Sequence, residues 1–228
     1  MKKALALVVL IATPMITFAQ GTVVFENIGG TGLVQRWTGI SDSTLISVPT
    51  NGGYVQLIAA PRGTPLPNPL FTTTAGGNYA NYSSLSSFLA ANPGWAAAAN
   101  NSGAVPTPIR GRAGYFNGGT YTINNIAEVQ PPGIAQADYL VIGWTADFSS
   151  YDAAYAAITV DQAASFLGMS AIATTTTGDP LWTPPGAPTF LRTTFPGMTL
   201  APVVIPEPTT FALAGLGLAA LLVRRRRR

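Results

Sequence analysis

The chain has 228 residues, a formal net charge of +3 and a pI near 9.4, and it contains no histidine and no cysteine. Seven of its twelve basic residues lie at the two ends, and the region between Gln20 and Ile205 holds five arginines against eight acidic residues, a net charge of −3. This composition excludes a clustered basic face for nucleic acid, a disulfide framework, and catalysis by serine–histidine or cysteine–histidine pairs.

The N-terminal segment MKKALALVVLIATPMITFAQ has the layout of an export signal. Two lysines precede an apolar run, and Ala19 is a small residue in the position that signal peptidase reads. We predict a signal peptide over residues 1–19, cleavage between Ala19 and Gln20, and passage through the general secretion machinery. A buried N-terminal helix is the alternative, but the apolar run is short and Pro14 interrupts it.

Short segments rich in β-branched and aromatic residues follow, bounded by glycine, proline or asparagine. The stretch 138–144 is almost entirely apolar, which predicts a central strand covered on both faces of its sheet. Gly118 and Gly119 predict a tight turn or a bulge between 115–116 and 120–123. The other predicted strands are 22–27, 53–59, 172–177 and 198–204.

Two alanine-rich segments, Leu85 to Ala99 and Tyr151 to Leu167, predict short helices in connections. Asp152 would lie in the first turn of the second helix, where the helix dipole favours a carboxylate. We therefore predict a mostly β fold over residues 20–200, a single antiparallel β-sandwich of jelly-roll type. A right-handed solenoid is the alternative, although no fixed repeat is visible.

The C-terminal end has three parts. Residues 201–208 predict an extended linker that contains Pro206, Glu207 and Pro208, since two prolines disfavour helix. Residues 209–223 predict a transmembrane helix of about 20 Å in its apolar part, which is shorter than the bilayer core of about 30 Å. The apolar side chains of this anchor are Phe211, Leu213, Leu216, Leu218, Leu221, Leu222 and Val223.

A basic cluster ends the chain: Arg224, Arg225, Arg226, Arg227 and Arg228. Arginine stems reach along lipid to the headgroups and compensate for a short helix. Positive flanks stay on the cytoplasmic side, so we expect the body of the protein on the periplasmic side as a single-pass intermediate.

This tail, with its Pro-Glu-Pro triplet, apolar stretch and arginine end, resembles the PEP-CTERM sorting signal of Gram-negative bacteria. The resemblance implies that Pro206, Glu207 and Pro208 form the motif that exosortase recognises, that Phe211 to Val223 is a transient anchor, and that Arg224 to Arg228 retain it. A plain membrane anchor with a proline-stiffened stalk is the alternative. The Gly-Thr-Val-x-Phe start and the Gly-Tyr-Phe-x-Gly-Gly segment are similar to small PEP-CTERM proteins of uncharacterised function.

The sequence lacks the residues that most hydrolytic enzymes use, since it contains no histidine and no cysteine. Zinc sites would lack histidine and cysteine, and the glycine-rich pieces do not match phosphate loops, so we predict no catalytic residue, cofactor or metal. A pair drawn from Asp138, Asp147 and Asp152 could serve as acid and base in a carbohydrate-active hydrolase, which is the alternative function.

Contact with extracellular polysaccharide is the binding function that the composition favours. Four tryptophans and eight tyrosines supply rings on which sugars stack, and Trp95 and Trp182 adjoin proline or glycine, which predicts loop positions. We therefore predict a non-catalytic protein of the cell surface or extracellular matrix, with a structural or glycan-binding role in envelope or biofilm.

Overall fold

The structure of the chain is a computed structural model that describes residues 19–126, 135–179 and 185–204. Strands account for 42% of the described residues and helices for 11% of them, which confirms the predicted mostly β class. The Pro-Glu-Pro triplet, the apolar segment 209–223 and the arginine cluster lie outside the described residues, as do residues 1–18. Among the described residues, no helix combines the length and apolarity that a membrane span requires.

The described part of the chain forms fourteen strands, two α-helices and a 3₁₀ turn at Leu191–Thr193. The first strands are β1 (Ala19–Glu26), β2 (Val34–Trp37), β3 (Leu45–Ser47), β4 (Gly53–Pro61), β5 (Phe71–Thr74), β6 (Gly77–Ala80), β7 (Ala96–Ala97) and β8 (Thr107–Pro108). The others are β9 (Asn117–Ile126), β10 (Gln136–Thr145), β11 (Leu167–Met169), β12 (Ala173–Thr176), β13 (Thr189–Phe190) and β14 (Met198–Leu200). The helices are α1 (Leu85–Ala91) and α2 (Tyr151–Ile158).

Strands β4 and β10 form the centre of the molecule. They pair antiparallel over their full lengths, from Gly53 opposite Thr145 to Pro61 opposite Ala137. Strands β11 and β12 pair with the other edge of β10, and β7 and β8 with the other edge of β4. The result is a six-stranded sheet in which the two longest partners are internal.

Both faces of this central sheet are buried. Successive residues of a strand point to opposite faces, and on β10 Tyr139 and Val141 join one core cluster, whereas Leu140, Ile142 and Trp144 join a second. Strand β4 divides in the same way, since Leu57 enters the first core and Ile58 the second. The prediction of a central strand at 138–144, covered on both faces, is confirmed.

The first core contains aromatic side chains from β1 and β9, which pair antiparallel with each other. The Phe25 ring lies 4.6 Å from that of Phe116 and 5.2 Å from that of Tyr121. The glycine pair forms a bulge in a continuous β9 and does not form a turn, because Val24 faces Thr120 while Glu26 faces Asn117. Gly119 has a φ of 76°, which a residue with a Cβ adopts only at a cost.

The second core lies under α1 and α2, and both helices are shorter than predicted. Helix α1 ends at Ala91 because Pro93 follows, and Ala96–Ala97 form a strand instead. Helix α2 ends at Ile158, before two β-branched residues of low helix propensity. Ala163 and Phe166 belong to the segment predicted as helix, but they lie beyond its end. Phe166 packs in the first core.

The smaller sheets depart from a purely antiparallel plan. Strand β13 pairs parallel with β1, and β14 pairs parallel with β2, whose other edge carries β3. Sequence patterns could not predict this, because β2, β13 and β14 have only two to four residues each and the paired segments are distant in the chain. Strands β5 and β6 form a separate antiparallel hairpin.

Asn27 fixes the chain reversal after β1. Its side chain is fully buried, its amide nitrogen donates to the carbonyls of Gly32 and Gly114 at 2.9 Å each, and its oxygen accepts from the Phe116 amide at 2.8 Å. Three backbone groups from separate segments thus depend on one side chain.

Replacement of this side chain should be costly. In Asn27→Ala, three buried backbone groups lose a hydrogen bond, although the Gly114 carbonyl keeps the one from the Val34 amide. We expect a loss of about 2–4 kcal/mol in the free energy of unfolding, measured by urea denaturation. The exposed Asn101→Ala should change it by less than about 0.5 kcal/mol. Equal stabilities of the two variants would contradict the assigned role of Asn27.

Burial raises the pKa of Tyr139 to about 12, although its hydrogen bond with Thr194 acts in the opposite direction. Below pH 10 both folded and unfolded chains keep the phenol proton. Between about pH 10 and 12 the unfolded chain loses it and the folded chain keeps it, so stability should fall as the pH rises.

The variant Tyr139→Phe should lose stability less steeply than the natural chain over this interval. The difference in slope should accumulate to on the order of 2 kcal/mol by pH 12, measured by urea unfolding at a series of pH values. Tyr79→Phe, on the exposed hairpin, is the control and should keep the slope of the natural chain. An unchanged slope in Tyr139→Phe would contradict the prediction.

Candidate functional site

A groove of about 500 Å³ lies between the β2–β14 pair and the β5–β6 hairpin. Segments 31–33 and 196–197 close one end of it, and segment 169–171 contributes a further wall. Its volume is within the range of about 300–1,000 Å³ that is typical of ligand pockets. The lining residues are Thr31, Gly32, Leu33, Gln35, Trp37, Phe71, Thr73, Thr74, Gly77, Asn78, Met169, Ser170, Ala171, Pro196, Gly197, Met198, Thr199 and Ala201.

The floor of the groove comes from the register of β2 with β14. Val34 lies opposite Met198, and both are buried in the first core. The next pair, Gln35 opposite Thr199, therefore points to the other face, where both line the groove. Across the three described ranges, neither side chain forms a hydrogen bond within the protein.

Trp37 lies at the end of β2 and is half-buried. Its indole packs against the first core cluster and also lines the groove. A ring supported from behind by a packed core loses little conformational freedom when a ligand stacks on its open side. The lining also contains Phe71, but that ring is only 6% exposed, so the half-buried Trp37 is the aromatic side chain more accessible to a ligand.

The hairpin wall is held by a buried amide. Asn78 is 4% exposed; its oxygen accepts from the Thr73 hydroxyl at 3.1 Å, and its amide nitrogen donates to the Leu167 carbonyl at 2.9 Å. Next to it, Gly77 has a φ of 129°, and a Cβ there would collide with the carbonyl of Pro202. The wall therefore has a fixed backbone position relative to β11.

The end of the described chain is tied to this wall. The backbone amide of Asn78 donates to the Pro202 carbonyl at 2.9 Å, and the backbone amide of Val204 donates to the backbone carbonyl of Asn78 at 2.8 Å. Ala201 is bridged to Leu167 on the other side. The chain is thus hydrogen-bonded to the fold up to Val204, two residues before Pro206.

None of the described residues that line the groove carries a formal charge. Hydroxyl, carboxamide and backbone groups supply polar surface beside the indole of Trp37. This lining offers no charged partner for a phosphate, a carboxylate or a metal ion, and the described ranges contain no group of three or more metal-binding side chains.

The three aspartates of the hydrolase hypothesis occupy separate places. Asp138 starts the central part of β10 and accepts hydrogen bonds from the Gly63 amide and the Thr174 hydroxyl. Asp147 follows the other end of β10, so the strand separates the two by about 20 Å or more, whereas glycosidase carboxyls lie about 5–9.5 Å apart.

The remaining carboxylate contacts, too, belong to the framework. Asp152 accepts from the Leu85 amide at 2.7 Å and so joins α2 to the start of α1; its predicted position in the first turn of α2 is confirmed. Asp147 accepts from the Tyr54 hydroxyl at 2.7 Å, and this hydrogen bond raises the pKa of Tyr54. None of the three lines the groove.

The tryptophans differ from the sequence-based expectation. Trp95 lies in the connection between α1 and β7, as expected, but it is only 4% exposed in the second core and its indole nitrogen donates to the Pro65 carbonyl, so its ring is not an exposed stacking surface. Trp182 lies outside the described residues. Sequence reasoning did not select Gln35, Trp37 or Thr199, because the short segment Val-Gln-Arg-Trp has no alternation of polar and apolar residues that would mark a strand face.

Ala19 and Gln20, the predicted cleavage site, lie in the backbone of β1, where Ala19 pairs with Ile126. Cleavage between them would leave Gln20 as the first residue of this strand. The site itself stays a prediction.

A family model described as the PEP-CTERM protein-sorting motif matches residues 204–228. The chain therefore carries this sorting signal, which indicates an exported protein that exosortase processes and that passes from a membrane-anchored form to the surface. No curated protein and no solved structure matches the chain.

The side-chain amide of Asn78 should control how firmly the β5–β6 hairpin, and the last described residues bonded to it, are held to β11. In Asn78→Ala the Leu167 carbonyl loses one of its two hydrogen-bond partners, since the Ala201 amide still donates to it, and we expect a loss of about 1–2 kcal/mol in the free energy of unfolding. Faster hydrogen exchange at the amides of residues 78 and 204 than at Val141 should accompany it. Asn101→Ala, at an exposed position outside the hairpin, is the control; unchanged exchange in Asn78→Ala would contradict the prediction.

Proposed function

We propose that this chain, which carries the PEP-CTERM sorting motif, is a non-catalytic exported protein delivered to the cell surface or the extracellular polysaccharide matrix. There it has a structural or glycan-binding role in the envelope or biofilm. The observation that carries the proposal is the match of residues 204–228 to this sorting motif.

The proposed topology has a body between two processing signals. Residues 1–19 are a signal peptide cleaved before Gln20, residues 209–223 are a transient membrane helix, and residues 224–228 remain on the cytoplasmic side. The body lies in the periplasm until the tail is cut near Pro206, Glu207 and Pro208. For the body we propose a jelly-roll-like sandwich, which the first core between the β1–β9 and β4–β10 pairs supports.

The proposed partners follow from this route. They are signal peptidase and the general secretion machinery, membrane lipid around the anchor, exosortase at the Pro-Glu-Pro motif, and then matrix polysaccharide. Nucleic acid is not among them, because the exported region has net negative charge and no basic cluster.

The non-catalytic assignment is supported by the placement of carboxylates. Asp138 and Asp147 lie at opposite ends of β10, and Asp152 joins two helices. A hydrolase needs two carboxyls across a cleft that holds the sugar, and the groove is lined by none. The arrangement favours contact with a glycan over its hydrolysis.

The sorting function is tested by the mass of the mature protein and the sequence of its terminal peptides. We expect an N-terminus at Gln20 in every strain of the producing bacterium, since signal peptidase acts first. In a strain with exosortase, the residues after the Pro-Glu-Pro motif should be lost; without the enzyme they should be retained.

A matched variant separates recognition from general proteolysis. Glu207→Ala should keep the tail in the strain with exosortase, whereas Thr209→Ala, outside the motif, should be processed as the natural chain is. If Arg224 to Arg228 persist in both strains, the tail is an ordinary membrane anchor and the proposal is wrong. If the tail is lost in both, another protease removes it.

A further inference from the structure

The absence of charged residues from the described lining of the groove limits the kind of ligand that it can bind. A phosphate, an acidic sugar or a cation that enters a site leaves its hydration shell, and this costs free energy unless an opposite charge replaces the water. None of the lining residues supplies such a charge. The ligand that fits is therefore uncharged and rich in hydrogen-bonding groups.

The side chains of the floor provide the complementary groups. Gln35 and Thr199 lie side by side in the β2–β14 register, with no hydrogen bond from either side chain inside the described part of the protein. A carboxamide donates and accepts at once, as a hydroxyl does, which matches the alternating donors and acceptors of sugar hydroxyls. The Thr74 hydroxyl donates to the Gly77 carbonyl and still has lone pairs to accept a further bond.

Trp37 supplies the apolar contact. Its ring is half-buried and packs against the first core, so its position is set before a ligand arrives. The apolar face of a pyranose ring stacks on such a surface, and the neighbouring hydroxyls then reach the floor and the hairpin wall. An accessible indole flanked by neutral polar groups, with the buried Phe71 beside the hairpin wall, suits a sugar better than an apolar peptide side chain.

We propose that this groove binds a short segment of a neutral polysaccharide, with Trp37 as the stacking surface and Gln35 and Thr199 as hydrogen-bonding groups. The proposal rests on the glycan-binding role proposed above and names the site and the ligand class for it. A cut near the Pro-Glu-Pro motif leaves Val204 and its bonds to Asn78 in place, so the groove is complete in the mature protein.

The test uses mature protein from the producing bacterium and three probes. These are the neutral fraction of the bacterium's own matrix polysaccharide, the acidic fraction separated from it by anion exchange, and a synthetic peptide with the sequence of residues 205–210. Affinity gel electrophoresis measures binding of the two fractions, and titration calorimetry measures binding of the peptide. We expect binding of the neutral fraction that changes less than about twofold as salt rises, because screening acts on charged partners.

Three groove variants locate the site. Trp37→Phe should weaken binding of the neutral fraction about tenfold, which corresponds to about 1.4 kcal/mol, and Gln35→Ala and Thr199→Val should each weaken it about threefold to tenfold. Exposed residues away from the groove provide matched controls: Gln162→Ala and Thr50→Val should bind as the natural protein does. Thermal unfolding of each variant shows whether the fold is kept, and Trp37→Phe retains an aromatic ring for that reason.

Each outcome has a distinct meaning. Binding of the neutral fraction that survives all three groove variants overturns the groove and leaves the glycan-binding role intact. Absence of binding overturns both of these, while the sorting function still depends on the mass measurement alone. Salt-sensitive binding of the acidic fraction, or binding of the tail peptide that Trp37→Phe abolishes, overturns the neutral glycan as occupant.

Discussion

The pairing of β4 with β10 is the constraint on which the rest of the structure depends. These strands join over their whole lengths, and their side chains enter a separate core on each face. Both cores must be filled by other parts of the chain, since apolar surface left in water costs about 25 cal/mol per Å². The β1–β9 pair covers one face, and the two helices with the β5–β6 hairpin cover the other.

The groove is a consequence of this arrangement at its periphery. Strand β11 lies along β10, and the bridge from Leu167 to Ala201 carries the sheet on toward β14 and β2. The hairpin that covers the second core is fixed by Asn78, which also holds the last described residues. The same hydrogen bonds therefore shape a wall of the groove and fix the point from which the sorting signal starts.

The region between Gln20 and Ile205 contains few charged residues, and several of its carboxylates form hydrogen bonds or an ion pair within the fold. Asp138 ties a turn and β12 to the central strand, and Asp152 joins two helices. Glu26 pairs with Arg192 at 3.1 Å. With these groups engaged elsewhere, the described lining of the groove is left with neutral donors and acceptors, a surface suited to an uncharged ligand.

The sequence by itself determined the sorting motif and the central strand. A short motif and an apolar run are local signals, and burial on both faces favours the nearly continuous apolar run that follows Asp138. Helix ends were predictable in part, since Pro93 limits the first helix. The segment after Ile158 was wrongly included in the second helix because of its alanines. The tertiary structure alone decided the parallel pairs, the burial of Trp95, and the meeting of Gln35, Trp37 and Thr199 with the β5–β6 hairpin. The physical reason is that these depend on contacts between segments far apart in the chain, which leave no periodic pattern in any one of them.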